Sequence, residues 1–594
     1  MSKSCIRVVW ATVLAMLAVT GSVAAQNIDA REYWLDNGMQ VLMVEKHEVP
    51  TAMAAIIARV GSANETTGIT GISHLFEHMM FKGTETIGTR DIKRDREIMA
   101  QLDSLRELMR EEERIMRERL RRGEIDDMLD PEARTDRYRE IEVVFDSLIL
   151  EQRELIIKDH LDETYSKNGG YFLNAFTSHD YTGYFVRLPS NKIELFMWLE
   201  SDRFGNPVFR EFYSERNVVR EERRLGVEST PTGLIEEDFG AMFWKSSSYH
   251  WDVIGWASDL GAITREQAEA YYDTYYAPNN LTMILVGDID PDQTIDLARK
   301  YFERLPRGET PPPDVVTLEE PQHGERRLVA EAEVNPQTEV AYHTVAWKHP
   351  DSYPLEVLAG IMSGKTGRLY KKLVDEKGIA KSSGGGGGMF GGGGLAVGAS
   401  QDSRKYAGAF YITADGISDV RAEQLEDAIY EVIEDLKARP VGEEELQKVK
   451  NQLRVQKIRF MDMMSGIGIL FYLGQHAALG DWTEANANPR KIDLVTAEDV
   501  QRVANKYLAD DQRNVLIINT KAGVEGEGSG EDAEFAQAVQ MIKSIKDASQ
   551  LEQMINMFSM RVDQVEDSEE RAQMEDLLKV ANEHLKELRA AETE

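Results

Sequence analysis

Residues Ala262 to Gly287 read A-I-T-R-E-Q-A-E-A-Y-Y-D-T-Y-Y-A-P-N-N-L-T-M-I-L-V-G, and a related stretch, L-V-T-A-E-D-V-Q-R-V-A-N-K-Y-L-A-D-D-Q-R-N-V-L-I-I-N, begins at Leu494. Each stretch predicts a helix followed by a strand. Thr264 and Thr496 supply a hydroxyl at the helix start, with an amide or a carboxyl three residues later, which is the pattern of a capping box. Because these threonines lie 232 residues apart, the chain is predicted to contain two tandem copies of one unit.

The starts of the two copies also agree. Thr51 to Val60 and Thr338 to Trp347 are both mostly apolar, strand-like runs followed by a helical pattern. Strands with segregated helices predict an α+β fold, here two tandem homologous α/β sandwich domains in which helices pack on a mixed sheet. The expected boundaries are 26–306 for the first domain, 307–322 for a Pro-rich, charged linker and 323–520 for the second domain.

Two segments lie outside the repeat. Residues 91–162 are dense in Arg and Glu, carry apolar residues at helix-face spacing and break near Gly123 to Pro131, which predicts an inserted helical hairpin. Either a solvated spacer or an arm that grips a partner would fit this composition. Residues 521–594 predict an acidic linker followed by a helical tail.

The N-terminus has the features of an export signal. Lys3 and Arg7 precede the apolar run Val8 to Thr20, and small residues precede Gln26, so residues 1–25 are predicted to be a cleaved signal peptide rather than a retained membrane anchor. We therefore expect export across the inner membrane to a bacterial periplasm. Cys5, the only cysteine, lies inside this segment, which excludes disulfides and thiolate chemistry from the mature chain.

The charge balance restricts the partners. The formal net charge is −34, and it becomes −36 without Lys3 and Arg7, which disfavours nucleic acid and anionic membrane surfaces as partners. Hydrophobic residues make up 42% of the chain but form no membrane-length run beyond the N-terminus, so stable membrane insertion is not expected either. Basic or unfolded peptides are better tolerated by such a surface.

A possible metal site lies in T-G-I-T-G-I-S-H-L-F-E-H-M-M-F-K-G-T, which begins at Thr67. His74 and His78 are four residues apart and share one face of a helix, so both imidazoles can bind one metal ion. Imidazole nitrogen suits zinc, and Glu77 lies near the same face, where it can take a proton from the attacking water. Chance alone gives about 0.02 such motifs in a chain of this size, so packed or surface histidines remain the alternative.

A catalytic zinc site needs a third protein ligand and one open position. In S-E-R-N-V-V-R-E-E-R-R-L, which begins at Ser214, Glu215 and Glu222 are two helical turns apart on one face. Glu211 and Glu221 compete with them for the same role. On composition alone, ordinary solvated helix charges are the better explanation of all four.

The two motifs together resemble the pitrilysin and insulinase family of zinc peptidases, which includes mitochondrial processing peptidase. H-L-F-E-H-M-M-F-K-G-T is similar to the metal-binding helix of that family, E-R-N-V-V-R-E-E is similar to its third-ligand helix, and the similarity spans residues 30 to 520. The resemblance implies one Zn²⁺ per chain held by His74, His78 and Glu222. It also implies that Glu77 is the catalytic base and that Glu215 supports the site.

A third segment, G-Y-F-L-N-A-F-T-S-H-D-Y-T-G-Y from Gly170 to Tyr184, resembles the strand that borders the substrate cleft in the family. An exposed strand edge can pair with an extended peptide through main-chain hydrogen bonds. The resemblance therefore implies substrate contacts at Asn174, Ala175 and Phe176. An ordinary sheet strand is the alternative.

The second copy resembles the inactive half of such enzymes, because it has no paired histidines around Pro354 to Gly360. Family members usually carry there an Arg and, seven residues later, a Tyr, but this chain has Val374 and Lys381 in those places. The valine side chain cannot stabilise an oxyanion. We therefore expect a homologous subunit that supplies Arg and Tyr in a heterodimer enclosing a chamber, or else a homodimer with substitute donors. Gly384 to Gly394 is predicted to be a mobile loop.

The sequence thus predicts a zinc metalloendopeptidase that cleaves peptides or unfolded segments. A non-catalytic scaffold subunit of the same fold is the second hypothesis, but such a subunit would be expected to have lost His74, Glu77 or His78. A partner-binding module built around the helical hairpin is the third hypothesis, and it leaves the histidine motif unexplained.

Overall fold

The protein is represented by a computed structural model that describes residues 27–128, 130–382, 396–521 and 568–591, together with residues 539, 542, 551 and 555. The predicted signal peptide, residues 1–25, and the Gly-rich loop, Gly384 to Gly394, lie outside the described residues. So does most of the predicted acidic linker that follows residue 521.

The first half of the chain forms a six-stranded sheet with the strand order β1-β2-β6-β3-β5-β4. Its pairs are antiparallel except β2 with β6, which are parallel. The central strand β3 is buried along nearly its whole length because both faces of the sheet are covered. The strands are β1 Ala30–Trp34, β2 Gln40–Glu45, β3 Thr51–Ala58, β4 Tyr171–Thr177, β5 Thr182–Pro189 and β6 Leu281–Gly287.

The second half forms a five-stranded sheet with the order β7-β11-β8-β10-β9. Apart from β1, this order and the single parallel pair, β7 with β11, repeat those of the first sheet. The predicted fold class, two tandem homologous α/β domains, is therefore confirmed. The strands are β7 Arg326–Ala332, β8 Gln337–Thr344, β9 Val397–Ser403, β10 Gly408–Asp415 and β11 Asn514–Thr520.

Helices cover both sheets. In the first half they are α1 Ile72–Met79, α2 Ile92–Arg121, α3 Asp136–Leu155, α4 His160–Lys167, α5 Ile193–Arg203, α6 Phe212–Arg223, α7 Gly233–Phe243, α8 Ala257–Ala262, α9 Arg265–Tyr275 and α10 Pro291–Phe302. In the second half and the tail they are α11 Ser352–Met362, α12 Arg368–Tyr370, α13 Ala422–Ala438, α14 Glu443–Asp462, α15 Ile467–Leu479, α16 Glu484–Asp493, α17 Ala497–Tyr507 and α18 Ser568–Ala591. Both predicted capping boxes are present, at the starts of α9 and α17.

The two halves exchange equivalent helices. Helix α15, from the second half, packs on the outer face of the first sheet, where Leu470 and Leu473 meet Ile57 and Ile284. Helix α7, from the first half, packs in the same way on the second sheet through Phe239. The two helices begin 234 residues apart, close to the repeat length. Neither half completes its core alone, so the linker at 307–322 separates two chain segments but not two independent cores.

The predicted hairpin insert consists of α2 and α3, which lie against each other. Ile98, Leu102 and Phe145 are buried in the core of the first half. Asp103 accepts a hydrogen bond from Tyr213 of α6 at 3.0 Å. The base of the hairpin is therefore packed against the helix that carries Glu215 and Glu222, and it is not a freely solvated spacer. Among the described residues, no helix is both long and apolar enough to cross a membrane.

Candidate metal centre and active site

Helix α1 carries the two motif histidines on its open face. Its other face buries Ile72, Leu75, Phe76 and Met79 in the core, because apolar residues recur there at helical spacing. The helix starts after Gly71, whose φ is +84° and whose Cβ would lie 2.4 Å from the Ile254 carbonyl oxygen, so only glycine fits this entry.

Helix α6 faces α1 and presents the predicted third ligand. It buries Phe212, Tyr213, Arg216, Val219 and Arg223, which leaves Glu215 and Glu222 on the face toward the histidines. The Glu222 Oε2 atom lies 3.9 Å from His74 Nε2 and 3.6 Å from His78 Nε2. By contrast, Glu221 pairs with Arg224 at 2.8 Å, and Glu211 lies 3.5 Å from the Lys82 ammonium. Of the four competing carboxylates, Glu222 is thus the one that shares a space with both imidazoles.

The donor set of His74, His78 and Glu222 fits a zinc ion. One ligand atom from each residue lies within 4.8 Å of the other two. In the described ranges, no other group of three His, Cys, Asp or Glu side chains has that geometry. Two ligand atoms on a tetrahedral zinc ion are about 3.4 Å apart, close to the distances found here. Burial, together with the nearby His78, lowers the pKa of His74 to about 4, which keeps this imidazole neutral as zinc binding requires. Their roles as ligands remain a prediction.

Glu77 lies between the histidines and strand β4. Its Oε2 atom accepts a hydrogen bond from the Thr177 hydroxyl at 2.6 Å. Burial raises the pKa of Glu77, although the Thr177 bond and the nearby His78 act in the opposite direction. A carboxylate with a raised pKa and a fixed orientation is suited to accept a proton from water, which is the predicted role of Glu77.

Glu215 belongs to a network behind His78. One of its oxygens lies 3.5 Å from His78 Nδ1, and the other accepts a hydrogen bond from Lys82 Nζ at 2.5 Å. Burial alone would raise the pKa of Glu215, but His78 and Lys82 outweigh it and lower this pKa. Glu215 therefore orients an imidazole, as an outer carboxylate does in many zinc sites. The sequence interpretation missed Lys82, although its position four residues after His78 was a usable signal.

Glu65, also missed from the sequence, anchors the start of the metal helix. Its carboxylate accepts hydrogen bonds from the backbone N–H groups of Gly71, at 2.7 Å, and Ser73, at 2.8 Å. These are donors that a helix start leaves without an intrahelical partner. The Ser73 hydroxyl in turn lies 2.6 Å from the Tyr271 hydroxyl. The carboxylate thus fixes the position of α1 one turn before His74.

We expect Glu65→Ala to lower the free energy of unfolding by about 1–3 kcal/mol, because two buried N–H groups lose their acceptor. Glu65→Gln keeps one acceptor oxygen and is expected to cost less. Chemical denaturation of both variants measures the difference, and zinc titration should show weaker binding in the same order. Equal stability of Glu65→Ala and the native chain would contradict this role for Glu65.

Strand β4, which carries the three predicted substrate contacts, is the outermost strand of the first sheet. Asn174 is exposed, and a register irregularity in the pairing with β5 precedes it. The Phe176 ring packs edge-to-face against Phe471 of α15, with 5.5 Å between ring centroids. The Phe176 side chain is therefore occupied by this packing, and a bound peptide would contact the backbone of Phe176 instead. The contacts themselves remain a prediction.

Among the residues that the structure describes in the second half, the equivalent place holds no comparable arrangement. Arg454 lies one repeat length after Glu222, and it donates a hydrogen bond to Asp493 at 2.6 Å. Helix α11 carries no histidine. Val374, which stands where the family has Arg, packs against the core of the second half, and the Lys381 N–H donates to the Asp415 carbonyl.

Comparison with known proteins supports the resemblance inferred from the motifs. Residues 40–101 match the family described as Insulinase (Peptidase family M16), and residues 262–453 match the Peptidase M16 inactive domain. The zinc protease PqqE of Helicobacter pylori is 26% identical over 495 residues, which cover 82% of this chain and 91% of that protein. The resemblance to pitrilysin and insulinase peptidases is therefore confirmed, and two segments of the chain match M16 peptidase domains.

Solved structures share the fold. The crystal structure of a protease from Helicobacter pylori superposes with a TM-score of 0.65 at 22% identity and covers 83% of this chain and 99% of that one. The periplasmic protease PqqL from Escherichia coli superposes with a TM-score of 0.58 at 16% identity, covering 83% of this chain but 48% of PqqL. The described chain thus corresponds to about half of PqqL.

Proposed function

We propose that this chain, which has segments matching M16 peptidase domains and is similar to zinc proteases, is a zinc-dependent endopeptidase. Its substrates would be peptides or unfolded protein segments. The observation that carries the proposal is the convergence of His74, His78 and Glu222, with Glu77 beside them. A scaffold subunit would have no need of this donor set.

The residues divide the work of hydrolysis among them. His74, His78 and Glu222 would hold the zinc ion, which supplies a Lewis acid that polarises a carbonyl oxygen and makes water more acidic. Glu77 Oε accepts a proton from the attacking water and can pass it to the leaving amine nitrogen. The Thr177 hydroxyl holds that carboxylate in place, and Glu215 orients the His78 ring.

The edge of β4 provides the binding surface for the main chain of the substrate. A peptide that adds to this edge as a further strand is held by backbone hydrogen bonds, which accept many sequences. Asn174, Ala175 and Phe176 lie on the edge strand that ends at Thr177, the residue bonded to Glu77. A peptide bound there would pass beside the catalytic base.

The proposal includes a second subunit and an enclosed chamber. Val374 and Lys381 stand where related enzymes carry the Arg and Tyr that bind the oxyanion, and PqqL has about twice the length of the aligned chain. We therefore propose a heterodimer with a homologous chain that supplies both residues, or failing that a homodimer. Measuring turnover and molecular mass of the chain alone and with a homologue from a neighbouring gene tests this. A fully active monomer would refute it.

The proposed location is the bacterial periplasm. The N-terminal charge and apolar pattern support export, and the similar PqqL is described as periplasmic. Cell fractionation of the tagged full-length chain, with determination of the mature N-terminus, tests both the compartment and the cleavage before Gln26.

Removal of the metal is expected to abolish cleavage, and one equivalent of zinc per chain should restore it. His78→Ala is expected to weaken zinc binding by more than about a hundredfold. This exceeds the loss of affinity that follows removal of a residue that only hydrogen-bonds to a metal ligand. His323→Ala, at an exposed histidine outside the site, is the matched control and should bind zinc normally. Titration with zinc followed by elemental analysis measures both, and cleavage that survives complete removal of metal would refute the proposal.

A further inference from the structure

Two equivalent hairpin connections, one from each half of the chain, contact each other. The first connection, residues 178–181, joins β4 to β5, and the second connection, residues 404–407, joins β9 to β10. In each, the N–H of the first residue donates a hydrogen bond to the carbonyl of the last, at 2.9 Å and 3.0 Å respectively. The first connection directly follows Thr177, whose hydroxyl donates to Glu77.

The Asp180 carboxylate joins the two connections. One of its oxygens accepts a hydrogen bond from the Tyr249 hydroxyl at 2.7 Å, and the other accepts one from the Lys405 N–H at 3.1 Å. The Tyr249 hydroxyl in turn accepts a hydrogen bond from the Tyr406 N–H at 3.2 Å. The second half thus contributes two backbone donors that fix Asp180 and Tyr249 of the first half.

This contact is buried. Asp180 is 7% exposed and Tyr249 is 3% exposed, and the Arg404 guanidinium lies over the Tyr249 ring, 4.9 Å from its centroid. Burial raises the pKa of Asp180, although its hydrogen bonds and the nearby positive charges act in the opposite direction. A buried carboxylate needs partners that replace its lost water, so its geometry is far better defined than that of a surface pair.

A shift of Asp180 would reach the catalytic base along a short path. Within the first connection, the N–H and the hydroxyl of Ser178 both donate to the Tyr181 carbonyl, so the connection moves together with the end of β4. The Thr177 hydroxyl at that end orients the Glu77 carboxylate. A displacement of about 1 Å at a reacting group can cost about a hundredfold in rate, so small shifts matter here.

We propose that Asp180 and Tyr249 are positioning residues, through which the hairpin connection of the second half holds Thr177, and with it Glu77, in place for catalysis. The second half thereby takes part in turnover without supplying a metal ligand. This inference rests on the proposed peptidase function and adds to it two residues that lie outside the metal-binding motifs.

The test measures kcat and KM for fluorophore-labelled casein, an unfolded protein, with the native chain and two variants. Tyr249→Phe removes only the hydroxyl, and Asp180→Asn keeps the shape of the side chain but loses one acceptor. Each should lower kcat about fivefold and leave KM unchanged. The loss should be smaller than that of Thr177→Val, because the first connection stays bonded to the backbone of residues 62 and 63. Native kcat in both variants would overturn the inference.

Tyr353→Phe is the matched control. The buried Tyr353 hydroxyl also donates to a buried carboxylate, that of Glu484, at 2.9 Å, but this pair lies within the second half. The control variant loses a comparable hydrogen bond and should cleave casein at the native rate. A fivefold loss of kcat in this variant too would show that the effect of Tyr249→Phe is general, which would overturn the inference.

A double variant separates positioning of the base from an independent effect. If Tyr249 acts through Thr177, adding Tyr249→Phe to Thr177→Val should lower kcat by less than about a further twofold, because the orientation of Glu77 is already lost. Independent effects would multiply instead, and a full further fivefold loss would overturn the inference.

Hydrogen exchange of the full chain, followed by mass spectrometry, tests the contact without relying on activity. The amides of residues 177–182 should exchange about fivefold faster in Tyr249→Phe than in the native chain, and at the native rate in Tyr353→Phe. Unchanged exchange in Tyr249→Phe would overturn the inference. If the native chain, alone or with a homologous partner, cleaves no casein, the proposed function fails, and the exchange data still decide whether the second half holds this segment.

Discussion

Replacement of Glu77 by glutamine is expected to slow peptide cleavage about a thousandfold, within the range for loss of a general base. The amide has nearly the same shape and can still accept the hydrogen bond of Thr177, but it cannot accept a proton from water. Zinc content should be unchanged, because Glu77 is not in the group formed by His74, His78 and Glu222. Steady-state cleavage assays combined with elemental analysis of the purified variant measure both quantities.

Thr177→Val provides the graded comparison for this prediction. It removes the hydroxyl that orients Glu77 but leaves the carboxylate in place, so we expect a loss of about ten- to a hundredfold from misalignment of the base. Turnover of Glu77→Gln at the native rate with zinc still bound would show that another group accepts the proton.

The largest effect on stability is expected for Asp95→Ala, at about 3–5 kcal/mol, the usual cost of removing one partner from a buried ion pair. The side chains of Asp95 and Arg210 are both 0% exposed and meet at 2.8 Å. Arg210 also donates to the backbone carbonyls of Lys82, at 2.5 Å, and Thr84, at 2.7 Å. The pair therefore connects the hairpin, which carries Asp95, with the loop after the metal helix. Arg210 itself lies directly before Glu211, at the start of α6.

Glu107→Ala is the matched control for Asp95→Ala, because Glu107 lies on the same helix and its ion pair with Arg110 is exposed. We expect that variant to change stability by no more than about 0.5 kcal/mol. Denaturant unfolding of both variants gives the comparison, and zinc affinity should fall only in Asp95→Ala, since the spacing between α1 and α6 depends on the buried pair. Similar stabilities of the two variants would contradict this role of Arg210.

The repeated architecture was predictable because its signals are local. The hydroxyl of Thr264 and the side chain of Gln267 form the capping box that their spacing predicts, and Thr496 with Asp499 does the same. Apolar strands such as β3 were recognisable because a buried strand needs a continuous apolar run. The hairpin was predicted from helix-face spacing alone, and α2 and α3 confirm it.

The site was predictable only in part. His74, Glu77 and His78 share one helix, so their spacing was enough to place them together. The choice among Glu211, Glu215, Glu221 and Glu222 was not available from spacing, because all four lie on or beside one charged helix whose orientation to α1 depends on the fold. The resemblance to the family indicated Glu222, and the distances to the two imidazoles agree with it.

The sequence by itself determined the elements, their twofold repetition and the histidine pair, because these depend on hydrogen bonds and periodicities within a few residues. Only the tertiary structure decided which helix covers which sheet, including the exchange of α7 and α15 between the halves. It likewise brought Lys82 to Glu215 and Arg210 to Asp95. These two contacts join residues more than a hundred positions apart, so no local pattern indicates them. The packing of the helices is also not a local property, because apolar faces of similar character can pair in several ways, and only the burial of all of them at once selects one arrangement.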